Sequence, residues 1–122
     1  MPKKILITED SPTILAITKD ALESAGYFVV CAVDGQEALD KTRKEQPDLI
    51  ILDLMLPKID GYKVCRMLKF DEKYKRIPII IFTARTQESD VLLGKEVGAN
   101  AYITKPFEPS ILLDKIAELL KN

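Results

Sequence analysis

The chain has no histidine and no tryptophan among its 122 residues, only two cysteines, and only five glycines. Each scarcity removes a class of chemistry. Without histidine there is no serine–histidine–acid triad and no imidazole zinc site. Cys31 and Cys65 form no CxxC pair and give no disulfide framework. Both fall in segments that read as element interiors, and free buried thiols in a reducing compartment are expected. Neither sign of charge prevails, since 18 Lys and Arg oppose 19 Asp and Glu. No field is available to hold nucleic acid or an anionic membrane, so direct nucleic-acid binding is not expected. No apolar run approaches the roughly 20 residues that span a bilayer. "MPKKILIT" enters its first apolar run without a signal peptide's hydrophobic region. A cytoplasmic location follows as the expectation.

What remains is an ordinary globular composition, 47% hydrophobic and 30% charged. The length fits one domain over 1–122, and such a domain buries roughly two-thirds of its unfolded surface. Five short apolar runs recur: "KILIT" (4–8), "YFVVCA" (27–32), "DLIILD" (48–53), "PIIIF" (78–82) and "NAYIT" (100–104). The first, third and fourth are rich in Ile, Leu and Val with little alternation, as in strands covered on both faces. The second suits a strand nearer an edge.

Helical stretches fill the gaps. Ser11 and Pro12 open the first as cap and first-turn residue, with Ile14, Ile17, Ala21 and Ala25 at helical spacing and Gly26 as stop. Asp34 stands three before Glu37, a capping-box spacing, and that helix ends by Pro47. "DGYKVCRMLKFDEKY" puts Val64, Cys65 and Leu68 on one side, and "TQESDVLLGKEVGA" is weakened by Gly94 and Gly98. The last helix has Leu112, Ile116, Leu119 and Leu120 as its inner stripe. The pattern predicts an α/β fold, a flavodoxin-like (βα)5 three-layer sandwich with a parallel five-stranded sheet of order 2-1-3-4-5.

In such a sheet, ligands bind beyond the carboxyl ends of the strands. The first run closes on Glu9 and Asp10, the third on Asp53, the fourth on Thr83 and the fifth on Lys105. Strands one, three, four and five are neighbours in the proposed order, so these groups meet in one shallow pocket. Three carboxylates repel one another, and Lys105 supplies a single compensating charge. Hard oxygen donors without histidine point to Mg²⁺. Taken singly, each residue has a plainer role: a helix cap for Asp10, a turn for Asp53, a solvated surface charge for Lys105. The two "DG" pairs, at Asp34 and Asp60, read as turns. The set of residue types at successive strand ends is what points to a site.

"ILITEDSPTI", "DLIILDLMLPKIDGYKV", "IPIIIFTA" and "GANAYITKPF" resemble the landmarks of the receiver domain of bacterial two-component response regulators, over essentially the whole chain. The resemblance implies that Asp53 accepts a phosphoryl group from a sensor histidine kinase or phosphotransfer protein. It implies Mg²⁺ held by Glu9, Asp10, Asp53 and the backbone carbonyl of Met55, with Thr83 and Lys105 contacting the phosphoryl oxygens. Pro106 follows the lysine as in the family. Tyr102 falls at the switch aromatic, so the face of the fourth helix, fifth strand and fifth helix would signal to a downstream effector protein. The expected activity is self-catalysed phosphorylation and dephosphorylation of a signalling protein, not turnover catalysis.

Two other readings share parts of this pattern. A haloacid-dehalogenase-type phosphatase would carry a second acid where Met55 stands. A flavodoxin-like cofactor carrier would need a phosphate loop where "EDSPT" puts two carboxylates. The chain starts at Met1 and stops about where a fifth helix would, so a stand-alone regulator resembling the chemotaxis type is expected over a piece of a longer protein.

Overall fold

Ser11 and Pro12 start the first helix as their chemistry requires. The Ser11 hydroxyl accepts from the Ile14 N–H, and Pro12, which has no N–H to leave unpaired, takes the first helical position. In the computed structural model, which describes residues 2–54, 56, 58–83, 98–104 and 108–121, this helix is α1 (Pro12–Ser24). It follows β1 (Lys4–Thr8) and precedes β2 (Phe28–Ala32). Asp34 caps α2 (Gly35–Glu45) by accepting from the Glu37 N–H at 2.8 Å, while Glu37 Oε1 accepts from the Val33 N–H at 2.9 Å. The capping box is therefore present, with its return bond one residue earlier than usual.

β3 (Leu49–Asp53) is buried at all five positions. Then come α3 (Gly61–Lys69), β4 (Ile79–Thr83), β5 (Ala101–Thr104) and a C-terminal helix (Pro109–Leu120). The expected helix over 86–99 lies outside the described residues except at its last two positions.

All strand pairs are parallel and the order is β2-β1-β3-β4-β5, as the sequence pattern predicts. Successive residues alternate between the two faces of the sheet. Leu6, Ile50, Leu52, Ile79 and Ile81 pack with Val64, Cys65 and Leu68 of α3 on one side. Ile5, Ile7, Leu49, Ile51, Ile80 and Phe82 pack with Leu22 of α1 and with Leu112 and Ile116 on the other. Burying Cys65 pushes its thiol up to about 11. Cys31 is only partly buried, and neither cysteine is in a disulfide.

The apolar repeat of α1 does not coincide with its buried line. Thr18 and Leu22 are its buried residues, Ile14 and Ala21 are partly covered, and Ile17 and Ala25 are exposed. Thr18 can face inward because its hydroxyl donates to the Ile14 carbonyl at 2.7 Å, which satisfies it within the helix. Among the described residues, no helix is long and apolar enough to cross a membrane.

Candidate functional site

The carboxyl ends of β1, β3 and β4 lie side by side because the three strands are parallel neighbours in register. Thr8 is level with Leu52, and Asp53 with Phe82. Backbone pairing continues one residue beyond β1, where the Glu9 N–H donates to the Ala32 carbonyl at 3.0 Å. Glu9 is thereby fixed as firmly as a strand residue. Its Oε2 also accepts from the Ser11 N–H at 3.0 Å, so the start of α1 aims the carboxylate.

One carboxylate oxygen each from Glu9, Asp10 and Asp53 lies within 4.8 Å of the others. Glu9 and Asp53 are almost fully buried, at 1% and 4% exposure, whereas Asp10 is open to solvent. Three formal negative charges this close, two of them in low dielectric, attract a cation strongly. The donors are all hard oxygens, and one rim of the cluster is open. That combination fits a divalent ion such as Mg²⁺, which keeps several waters and takes few protein ligands.

The structure therefore brings together three of the residues singled out from sequence. Thr83 closes β4 beside Thr104 of β5, as the strand pairing requires. Its side chain, Met55, Lys105 and Pro106 lie outside the described residues. Tyr102 packs, partly covered, against the core on the α2 and α3 side of the sheet.

Two glycines that sequence reading treated as turn residues take part in building this site. A Cβ on Gly61 would run into the Asp53 carbonyl and the Leu54 backbone, and one on Gly35 would run into the Ile59 carbonyl. Gly61 therefore lets α3 begin directly against the end of β3, and Gly35 lets α2 begin directly against the loop that follows β3. Asp34 and Lys58 tie the same loop to α2, with their charged atoms 3.5 Å apart. The Glu37 N–H bond, and after it the Lys58 ammonium, hold the Asp34 carboxyl below its usual range. The repeated "DG" marks the turn at each of the two places.

Comparison with known proteins agrees with this geometry. The family model of the response regulator receiver domain matches residues 5–117. The alkaline phosphatase synthesis transcriptional regulatory protein PhoP of Bacillus subtilis is 44% identical over 122 residues, all of this chain and 50% of that protein. The chain spans about half the length of the curated relatives it matches. A structure from Chloroflexus aurantiacus described as a response regulator superposes with a TM-score of 0.96 at 38% identity, covering 100% of both chains. The receiver domain of a sensor histidine kinase from Pseudomonas aeruginosa, whose active-site cleft coordinates a magnesium ion, does so with a TM-score of 0.92 at 30% identity, again over 100% of both chains.

The family model's match over residues 5–117 favours the receiver reading over the phosphatase and flavodoxin readings, and the buried acid at the end of the middle strand, beside the pair that follows β1, is consistent with it. The chain belongs to the response regulator receiver domain family, the phosphoacceptor modules of two-component signalling rather than turnover enzymes.

Proposed function

We propose that Asp53 is the phosphoacceptor, that Glu9, Asp10 and Asp53 hold Mg²⁺ with the Met55 carbonyl, and that the phosphoryl donor is the phosphohistidine of a sensor kinase or phosphotransfer protein. The observation that carries this reading is the convergence of three carboxylates within 4.8 Å at the ends of β1 and β3. In the forward step an Asp53 carboxylate oxygen attacks phosphorus. The P–O bond forms as the P–N bond breaks, and the imidazole nitrogen keeps the electron pair. In the later, self-terminating step, water attacks the same phosphorus, the bond between phosphorus and the Asp53 oxygen breaks, and the free carboxylate and inorganic phosphate are released. Bound Mg²⁺ would supply positive charge to the transferring oxygens, with Lys105 as the second cation. The protein's own task is alignment: a fully buried strand fixes the nucleophile, and Gly61 fixes the loop behind it.

Phosphorylation adds up to about two negative charges and new acceptor oxygens. Thr83 turning toward them, and Tyr102 moving into the space behind it, would alter the face around β5 and the C-terminal helix and so reach a downstream effector. Incubation with Mg²⁺ and a small acyl phosphate is expected to add one alkali-labile phosphoryl group to the wild type, read by intact mass, and none to Asp53→Asn. Equal labelling of both proteins would move the acceptor elsewhere.

A further inference from the structure

The outward side of α3 is not used by the site, and it carries exposed apolar and cationic side chains together. Lys63, Arg66, Met67 and Phe70 stand at i, i+3, i+4 and i+7, which places them in one stripe along the helix and its cap. Together they line an open depression of about 340 Å³. Phe70 is 73% exposed and Met67 46% exposed, although Val64, Cys65 and Leu68 on the opposite side are buried. The Arg66 guanidinium lies 6.0 Å from the centre of the Phe70 ring, a cation laid over an aromatic face.

Charge is concentrated here as well. Residues 63–76 contain six Lys and Arg against two Asp and Glu, a net of +4, which leaves −5 for the remainder of a chain whose total is −1. Some of these cations are already engaged. Lys69 Nζ donates to the Ile77 carbonyl at 2.7 Å, and Lys75 pairs with Glu72 at 2.8 Å. Lys63 and Arg66 have no carboxylate partner among the described residues.

From these features we infer that the outer stripe of α3 is a docking surface for an acidic amphipathic helix of a partner protein. Two cations without a carboxylate partner among the described residues share the stripe with a thioether and a phenyl ring. The matching surface therefore carries apolar side chains and carboxylates along one line. Methionine adapts its shape to the bound chain, and the arginine beside an aromatic ring is the pairing most enriched at binding hot spots. Nucleic acid is disfavoured because two of the four side chains of the stripe are exposed and apolar, where a backbone binder would place further cations. A stripe of four residues makes a small contact of the weak, signalling type.

The test is an NMR titration of the isotope-labelled protein with a synthetic amphipathic helix of glutamate and leucine, with its lysine-for-glutamate counterpart, and with a short DNA duplex. The acidic helix is expected to move the amide signals of residues 61–70, with affinity falling as salt rises. Phe70→Ala and Arg66→Glu, both exposed and without structural partners on other elements, should each weaken binding about tenfold. Asp53→Asn should bind as the wild type does, which separates this surface from the phosphoacceptor reading. Absence of shifts on α3, equal binding of the lysine peptide, or tighter binding of the duplex at the same stripe overturns the inference.

Discussion

Thr8 is fully buried, and its hydroxyl has no hydrogen-bond partner among the described residues. It is the last residue of β1, one position before the acids of the site, and faces the side of the sheet covered by α2 and α3. A buried, unpaired hydroxyl costs about 1–3 kcal/mol in lost hydration. Thr8→Val keeps the branched shape and removes the polar atom. It is expected to raise the unfolding free energy by about 1 kcal/mol, read as a higher urea midpoint at unchanged slope. A midpoint that stays put or falls means the hydroxyl has a partner in solution. Thr18 shows the other outcome for the same residue type, because its hydroxyl bonds within α1 and burial costs little. That difference explains why the buried line of α1 departs from its apolar repeat. The apolar pattern through Ile14 and Ile17 is helical, but counting Thr18 as polar rotates the helix away from its true buried line through Thr18 and Leu22.

Gly61, Gly35 and Gly26 look alike in the sequence and do different work as element boundaries. At Gly61 and Gly35 a methyl group would meet backbone carbonyls, which cannot step aside, so replacement by alanine is expected to cost about 1–3 kcal/mol. At Gly26 nothing lies within 4 Å, and only its left-handed backbone, φ +96°, resists a side chain. Gly26→Ala should then cost only about 1–2 kcal/mol and leave acyl-phosphate labelling unchanged. Gly61→Ala should lower both stability and the labelling rate, since the displaced carbonyl belongs to Asp53 itself. Denaturant midpoints and single-turnover labelling of the three variants separate these effects, and normal labelling in Gly61→Ala would remove its positioning role. Sequence alone reached the turn at each "DG" but not the close approach, because a packing distance between distant segments leaves no local signal.

Across the whole molecule, the parallel sheet gathers acids that are distant in the chain, and the sheet order makes them legible. Consecutive Ile-, Leu- and Val-rich runs with helix-length gaps fix the strand ends, and the ends carry Glu9, Asp10 and Asp53. Bringing three like charges together weakens the fold when no cation is bound, so a bound ion stabilises it by mass action. At Mg²⁺ roughly 100-fold above its Kd the gain is about 2.7 kcal/mol. The urea midpoint should rise accordingly in the wild type and stay fixed in a Glu9→Gln, Asp10→Asn double variant. In chelator that variant should be the more stable of the two, because it lacks the repulsion. Coincident midpoints for the wild type with and without Mg²⁺ would mean the acids do not form an ion site. One consequence concerns time. Asp53 ends a strand buried along its full length between two neighbours, the class of backbone whose amides exchange only when the entire domain opens. A phosphoryl group carried there, as proposed, would be insulated from local breathing, its persistence set by chemistry at the rim and not by loosening of the ground on which it stands.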